Sequence, residues 1–374
     1  MLTLIANARV YAPEDIGTRD LLVAGARIAA LDERLDITGV PLERIDAQGR
    51  WLLPGFVDAL CHPCGGGGEG GFGNRTPEMT ASAFIRAGVT CPVGALGTDS
   101  ITRSLDVLYG SVMQLRADGL DAHMYTGAYR VPAPTLTGDV ARDLVLVEPV
   151  IGVGEVAVAD HRSSEPTADE LRRIASEARL GGVLSGRGGT VLVHVGDGAG
   201  RLALLREAYV AGDLPAGSFY PTHVNRSADL LAEAAAFAQA GNSVDITAST
   251  TPELLAAGDL DAADAFVRLL DAGAPADRIS LSSDAGGSLP VYVDGVLQGL
   301  TAATPDCLLE QVQRAAGEPW LPALIAALTA NPARALALAG KGRIAVGGDA
   351  DLLLLEPDTG ALSAVMGRGR WLLR

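Results

Sequence analysis

Histidines and acidic residues stand in or directly after several short apolar segments of this 374-residue chain. His62, Glu155, His194, His223 and Asp284 occupy such places, so the set includes three of the five histidines. Imidazole nitrogens and carboxylate oxygens are ligands that suit Zn²⁺ or a similar divalent ion. Any one of these residues could be a hydrogen-bonded core or loop residue, but a packed core does not require five such side chains at strand ends. The pattern therefore predicts a metal site.

The segments that carry these residues alternate with Ala-, Leu- and Glu-rich helical stretches. Short strands separated by helices are typical of a parallel sheet that is closed or doubly wound. Eight predicted strands favour a barrel, and barrel enzymes build their sites at the carboxyl ends of the strands. The predicted strands are 55–60, 90–95, 121–126, 151–157, 190–195, 218–222, 243–247 and 279–283. The predicted helices include 170–179, 201–210, 228–240 and 261–270, where apolar residues recur at roughly helical spacing.

Both chain ends have a different pattern, in which short apolar runs alternate with turns. Strands are expected at 2–5, 20–23, 27–31, 51–53, 342–344, 349–355 and 369–372. We expect the two ends to pair with each other. Residues 1–54 and 340–374 would then form a small β-domain, and residues 55–339 would form the catalytic barrel.

Composition excludes several classes of partner. A formal net charge of −16 argues against nucleic acid, because phosphate backbones are bound by clustered Lys and Arg. The amino terminus lacks the basic region of a signal peptide, and no apolar run is long enough to span a bilayer. We therefore expect a cytoplasmic protein with no membrane partner. The four cysteines do not suggest a disulfide framework, although Cys61-His62-Pro63-Cys64 matches C-x-x-C.

Motifs along nearly the whole chain resemble those of the isoaspartyl dipeptidases, a group within the amidohydrolase superfamily. P-G-F-V-D at 54–58 is typical of the superfamily, whereas G-G-G-G-E at 65–69, T-G-A-Y at 126–129 and P-T-H-V-N-R at 221–226 together are typical of the dipeptidases. G-T-D-S at 97–100, D-H-R-S at 160–163 and L-S-S-D at 281–284 complete the pattern. The resemblance implies an α/β fold, a (β/α)₈ TIM barrel of the amidohydrolase type with a small β-domain formed by both chain ends. It also implies a homo-oligomer.

The resemblance further implies a site for two zinc ions, from which this sequence departs twice. The family uses an H-x-H pair after strand one, a bridging carboxylated lysine on strand four, two histidines and an aspartate. Leu60 takes the place of the first histidine of the pair, and the only lysine, Lys341, lies far along the chain. Glu155 falls where the bridging group belongs, although the spacing around it is one residue longer than in the family. A glutamate supplies a carboxylate on a shorter arm.

We therefore expect one firm Zn²⁺ site and a second, weaker one. Glu155, His194 and His223 leave an open place for water, which is the composition of a catalytic zinc site. His62 and Asp284 complete the predicted ligand set. Cys64 is close enough in sequence to replace the ligand lost at Leu60, whereas Cys61 should point the opposite way on an extended strand.

Roles for further residues follow from the same resemblance. Asp284 would act as general base and acid for water activated by the metal. Tyr129 would polarise the scissile carbonyl, and Glu69 would receive the substrate's α-ammonium group. Arg162 and Arg226 would bind substrate carboxylates as bidentate forks. Gly67, Thr98 and Ser288 correspond to further substrate contacts, and His161 would orient its neighbours.

The predicted activity is hydrolysis of an amide bond in a small substrate, with a β-aspartyl dipeptide as the leading choice. An N-acyl-D-amino-acid deacylase-like amidohydrolase is the second reading. A third is a catalytically degenerate protein that binds a small molecule through Glu69, Arg162 and Arg226 but cannot activate water. Comparing turnover of acylated amino acids and β-aspartyl dipeptides separates the first two hypotheses, and tight ligand binding without turnover at any metal supplement would support the third.

Overall fold

The computed structural model describes residues 2–293 and 296–374. Its strands are β1 (Leu2–Tyr11), β2 (Asp15–Ala24), β3 (Arg27–Asp32), β4 (Glu43–Asp46), β5 (Trp51–Pro54), β6 (Phe56–Cys61), β7 (Val89–Gly94), β8 (His123–Thr126), β9 (Val150–Val158), β10 (Thr190–Val195), β11 (Phe219–Thr222), β12 (Val244–Thr247), β13 (Ile279–Ser282), β14 (Ser288–Val293), β15 (Val296–Ala302), β16 (Leu352–Leu355), β17 (Leu362–Gly367) and β18 (Arg370–Leu373). The sequence-predicted strands between residues 55 and 283 each match one of these to within two residues at either end.

Helices follow most of the strands from β6 onward. They are α1 (Ala81–Arg86), α2 (Leu105–Ala117), α3 (Val140–Leu146), α4 (Ala168–Ser185), α5 (Ala203–Val210), α6 (Ala228–Gln239), α7 (Pro252–Ala257), α8 (Ala262–Asp271), α9 (Asp306–Arg314), α10 (Leu321–Leu328) and α11 (Ala330–Ala335), with a 3₁₀ turn at Ala276–Arg278. The longest, α4, begins with a capping box between Thr167 and Glu170 and ends at Gly186, whose φ of 67° suits glycine. Among the helices of the described residues, none has the length and hydropathy needed to cross a bilayer.

The two chain ends meet in one sheet. Its strand order is β18-β17-β16-β5-β1-β2-β3, with β4 beside β1. The ends contact each other in the antiparallel pair β5 and β16, in which Leu52 faces Leu354, and also in a bridge between Arg27 and Asp349. The prediction of a strand at 342–344 is wrong, because these residues lie in no strand. Gly342 has a φ of 74°, which is outside the range of an extended strand.

The remaining strands place their carboxyl ends together. β6 to β11 form a parallel sheet in chain order, and β12 pairs in parallel with β13. The segment after β13 returns to the first strand of this series, since the Asp284 amide donates to Leu60 O at 3.0 Å and the His62 amide to Ala285 O at 2.6 Å. These strands are buried along their length, as expected for a parallel sheet covered on both faces.

A bulge interrupts the pairing of β9 with β10. Val191 pairs with Val153 and Val193 pairs with Val156, so Gly154 and Glu155 together stand opposite one residue, Leu192. A β-bulge re-aims the side chain that it contains and is common beside active sites. The bulge thus places Glu155 outside the regular pairing of β9 with β10.

Lys341 stabilises the contact between the terminal sheet and the parallel strands. Its buried Nζ lies 2.7 Å from Asp121, 2.9 Å from Asp349 and 2.6 Å from Asp351. Burial lowers the pKa of Lys341, but Asp351 and Asp121 outweigh this effect and hold the pKa above its usual value. The ammonium group is therefore charged, and it is the cation that all three acids share.

Replacing Lys341 with methionine should therefore lower the free energy of unfolding by about 3–5 kcal/mol, because buried charges lose their partner. Urea denaturation of the parent and variant measures the difference. Arg343→Met is a matched control, since its ion pair with Glu14 is exposed and such pairs contribute roughly 0–1 kcal/mol. Equal stability losses in the two variants would contradict this role for Lys341.

Candidate active site

Glu155 lies at the centre of the strand ends with both carboxylate oxygens facing histidines. Its Oε2 is 3.3 Å from His194 Nδ1 and 3.6 Å from His223 Nε2, and its Oε1 is 3.4 Å from His62 Nε2. The glutamate is 1% exposed. One ligand atom from each of Glu155, His194 and His223 lies within 4.8 Å of the others. One buried carboxylate and two imidazoles that converge in this way fit a divalent ion such as zinc.

The two histidines of this group are held in the form that metals bind. Burial lowers the pKa of His194 to about 3 and that of His223 to about 4, and the charge of Arg226 adds to both effects. Neutral imidazole carries the lone pair that a metal ligand needs. His223 Nδ1 forms a hydrogen bond with Thr247 Oγ1, which leaves Nε2 facing Glu155.

His62 and Asp284 form a second pair beside this group. His62 Nε2 is 3.0 Å from Asp284 Oδ1, and His62 Nδ1 is 3.0 Å from the backbone oxygen of Ala95. Burial lowers the pKa of His62, but the hydrogen bond and charge of Asp284, with Glu155, raise it to about 9. Burial raises the pKa of Asp284, but His62 holds it down at about 2. The Asp284 side chain is 19% exposed, so water can reach an ionised carboxylate there.

Backbone geometry fixes where two of these side chains point. His223 has a φ of 62° and Asp284 a φ of 53°, the left-handed region that residues with a Cβ rarely adopt. Such strain persists where the surrounding structure holds it, and it is concentrated at functional sites. His223 directly follows the last residue of β11, and Asp284 lies two residues after the last residue of β13.

Leu60, where the resemblance implies a first histidine, lies in apolar packing. Leu60 is fully buried among Tyr125, Leu192 and Tyr220. Cys61 Sγ lies 3.4 Å from Val93 O and therefore points away from the site, as the sequence predicted. Cys64 Sγ approaches Gly65 O at 3.8 Å, and the structure does not bring it into the metal-ligand group found among the described residues.

A second set of polar side chains lies beside the candidate metal ligands. Thr98 Oγ1 donates to Glu69 Oε1 at 2.8 Å, and Arg162 Nη1 donates to the same oxygen at 3.1 Å. Burial raises the pKa of Glu69, but these hydrogen bonds outweigh it and lower the pKa. Among the described residues, no group pairs with buried Glu69 Oε2, so this oxygen can accept from a bound ammonium group. His161 is predominantly exposed, with Nδ1 3.7 Å from Asp160.

Two neighbouring cavities open onto the site. The inner cavity, about 50 Å³, touches both the candidate metal ligands and Glu69. The outer cavity, about 340 Å³, continues from it past Arg226. Their linings bring together most of the predicted site residues: His62, Gly67, Glu69, Thr98, Tyr129, Arg162, His194, Arg226, Asp284 and Ser288 line the inner cavity, and His223 lines the outer one. Glu155 lies beneath them, with Oε1 near Gly97 at the inner cavity wall.

Comparison with known proteins places this arrangement in a family. Residues 51–372 match the model of the amidohydrolase family. The chain belongs to the amidohydrolase family. It is 38% identical to the β-aspartyl dipeptidase of Fervidobacterium islandicum AW-1, with a TM-score of 0.91 and coverage of 100% of this chain and 97% of that one. A second structure, of the β-aspartyl dipeptidase from the same organism in complex with a β-Asp-Leu dipeptide, is 40% identical to this chain. Its coverage is the same, and its TM-score is 0.91.

These matches confirm the resemblance to isoaspartyl dipeptidases. A curated relative, the dihydroorotase of Staphylococcus epidermidis, is 31% identical over 94 residues, which are 25% of this chain. This chain therefore spans only 21% of the length of that relative. The fold is of the TIM-barrel type that the family model and the solved structures share.

Tyr129 links the candidate metal ligands of this amidohydrolase to the inner cavity. Its hydroxyl is 2.7 Å from His194 Nδ1. Burial, with the charge of Glu155 next, raises the pKa of Tyr129 well above its usual value, so the hydroxyl keeps its proton and can donate. A preorganised donor at this place can stabilise a developing oxyanion.

Asp160 contacts the site, although no role was predicted for it from the sequence. Its side chain is 2% exposed, and its Oδ2 lies 2.9 Å from His194 Nε2. One sequence feature could have indicated a role for Asp160, namely its position two residues before Arg162. An aspartate at this spacing can accept a hydrogen bond from the arginine side chain. Its contact with His194, however, joins the loop after β9 to β10 and becomes visible only in the folded amidohydrolase.

Proposed function

We propose that this amidohydrolase is a metal-dependent hydrolase of β-aspartyl dipeptides. The observation that carries the proposal is the pairing of Glu69 with Arg162 in the inner cavity, beside Glu155, His194 and His223. A carboxylate acceptor next to a guanidinium complements the α-ammonium and α-carboxylate of an aspartyl group. The dipeptide complex of the Fervidobacterium islandicum enzyme supports this choice of substrate.

The proposal includes the architecture expected from the sequence. In it, residues 55–339 form a closed (β/α)₈ barrel, and residues 1–54 and 340–374 form one small β-domain. The return of the segment after β13 to Leu60 and His62 supports closure of the barrel. The pairing of β5 with β16 supports a shared domain of the two ends.

Glu155, His194 and His223 would hold one firmly bound zinc ion. When bound, such an ion supplies Lewis-acid chemistry that makes water a nucleophile near neutral pH and polarises a carbonyl. His62 and Asp284 could contribute to a second, weaker position, where Leu60 leaves one ligand fewer than the resemblance implies.

The side chains around the ligands then divide the remaining work. Ionised Asp284 takes the proton of the attacking water and delivers it to the leaving amine. The Tyr129 hydroxyl donates to the carbonyl oxygen as negative charge develops on it. Glu69 binds the α-ammonium group, while Arg162 and Arg226 bind carboxylates. Gly67, Thr98 and Ser288 line the inner cavity, where they would hold the aspartyl group in place.

The number of metal ions provides a direct test of the role of Leu60. Leu60→His restores a nitrogen ligand two residues before His62, on the same face of an extended strand. We expect metal content to rise from about one to about two zinc ions per chain, as measured by elemental analysis after dialysis. Leu60→Met is the matched control, because it fills similar volume without a nitrogen ligand. Equal zinc content in both variants would contradict the proposed loss of a ligand at this position.

Hydrolysis of two substrates tests the choice of reaction. β-Aspartyl-leucine carries the free α-ammonium group that Glu69 would bind, whereas N-acetyl-D-leucine does not. The zinc-loaded protein is expected to release leucine from the dipeptide and not from the acylated amino acid, as measured by chromatography. The opposite preference would replace the dipeptidase with the deacylase.

We also propose that the protein assembles as a homo-oligomer. Leu180, Val183 and Leu184 lie toward the end of α4 and are 54%, 71% and 66% exposed. Apolar side chains grouped on a surface are typical of contacts between subunits. Sedimentation analysis of the purified protein measures the state directly, and a monomer at all concentrations would contradict this part of the proposal.

A further inference from the structure

The carboxylate of Asp160 lies between the candidate metal ligands and the arginines of the substrate cavity. Its Oδ2 is 2.9 Å from His194 Nε2, 2.8 Å from Arg162 Nη2 and 3.5 Å from Arg226 Nη1. Its Oδ1 accepts from Arg162 Nε at 2.9 Å and from the Arg162 amide at 2.8 Å. One buried side chain thus contacts both halves of the site.

These contacts determine which nitrogen of His194 carries the proton. Asp160 Oδ2 can only accept, so at 2.9 Å His194 Nε2 must donate to it. Arg162 Nη2 and Arg226 Nη1 also lie 3.2 Å and 3.1 Å from His194 Nε2. Both are donors, and they lie around Asp160 Oδ2, the oxygen that accepts from Nε2. His194 Nδ1 then has a lone pair, which accepts from Tyr129 and faces Glu155 Oε2.

The same carboxylate fixes the direction of Arg162. Two oxygens of Asp160 hold Nε and Nη2 of the guanidinium in a bidentate pair. Nη1 remains directed at Glu69 Oε1, 3.1 Å away at the inner cavity. A guanidinium held on one edge in this way presents its other edge to the cavity without losing further side-chain entropy when a ligand binds.

We propose that Asp160 is a positioning residue that serves metal binding and substrate binding together. It orients His194 so that Nδ1 faces the metal position, and it holds Arg162 so that Nη1 faces the inner cavity. Asp160 itself takes no part in the bond changes. The inference rests on the proposed metal site and deepens it, because outer partners of metal-binding histidines fix the tautomer and ring orientation.

Asp160→Asn tests both parts while keeping the size of the side chain. We expect zinc release to a chelator to be about 10- to 100-fold faster than in the parent, the range found when such outer partners are removed. We also expect KM for β-aspartyl-leucine to rise about tenfold, as bidentate support of Arg162 is lost. Asp197→Asn is the control for zinc release only, because Asp197 follows the same strand as His194 but is largely exposed and contacts none of the candidate metal ligands among the described residues.

Several outcomes overturn the inference. Zinc release in Asp160→Asn within twofold of that in Asp197→Asn would show that Asp160 does not support the metal site. Faster release with unchanged KM would separate the two roles that the inference joins. Thermal unfolding followed by circular dichroism checks that the variant folds, and Asp160→Glu, which keeps the carboxylate, should recover zinc retention at least tenfold better than Asp160→Ala. Equal losses in those two variants would also overturn it.

Failure of the dipeptidase proposal is distinguishable from failure of this inference. Zinc release is measured without substrate, so a parent that never cleaves β-aspartyl-leucine would contradict the proposed reaction alone. The release rates of Asp160→Asn and Asp197→Asn would still decide whether Asp160 supports the metal position.

Discussion

Glu155→Gln is expected to leave the purified protein with almost no zinc. It should also lower kcat/KM for β-aspartyl-leucine by on the order of 10³-fold or more, because metal chemistry contributes several kcal/mol to such reactions. The Glu155 carboxylate lies 3.3 to 3.6 Å from nitrogens of three histidines, so it is the negatively charged group that contacts all three. Glutamine keeps the volume but removes the anion that a divalent ion needs. Elemental analysis and initial rates measure the two effects.

Glu165→Gln serves as the control for that experiment, since Glu165 is exposed and is outside the linings of the inner and outer cavities. It should keep both zinc and activity. Full zinc content in Glu155→Gln would contradict the assignment of Glu155 as a ligand. Loss of zinc without loss of activity would contradict the need for a metal.

Asp284→Asn is expected to lower kcat by roughly 10²- to 10⁴-fold, the contribution typical of a positioned general base or acid. Asparagine keeps the shape of the side chain but cannot take a proton from water. We expect the firmly bound zinc ion to remain, because the group formed by Glu155, His194 and His223 does not include Asp284. Loss of that zinc ion in the variant would instead identify Asp284 as one of its required ligands.

A control at a neighbouring position separates loss of the base from loss of the local fold. Ser288→Ala alters a residue of the same cavity wall without removing a charge. Its kcat should stay within about tenfold of the parent value, as expected when one neutral hydrogen-bonding group is lost. A fall equal to that in Asp284→Asn would show that any disturbance of this wall abolishes activity.

The parallel strands could be predicted from the sequence because each is short, apolar and buried along its length. Residues 190–195 form a strand with the bounds predicted, and the other strands of the series differ by one or two residues. The candidate metal ligands could be predicted for a related reason, since carboxyl ends of parallel strands meet at one edge. His194 and His223, 29 positions apart in the sequence, thereby face the same carboxylate oxygen.

Other features depend on tertiary contacts that leave no local pattern. Residues 342–344 have the composition of a short strand, yet Gly342 turns back onto Thr329. The hairpin of β14 and β15 follows Asp284 without the regular spacing of the earlier strands. Asp160 resembles any aspartate in a loop until its carboxylate is seen between His194 and Arg162. The sequence indicates which residues can do chemistry, and the fold decides which of them touch.

The measurement that tests the central claim most directly is hydrolysis of β-aspartyl-leucine by the zinc-loaded protein. Parallel assays use metal-stripped protein and the Glu155→Gln variant. We predict release of aspartate and leucine by the zinc-loaded parent, loss of that activity on stripping, its return when zinc is added back, and none in the variant. No hydrolysis by a folded parent that carries a full zinc ion per chain would contradict the account.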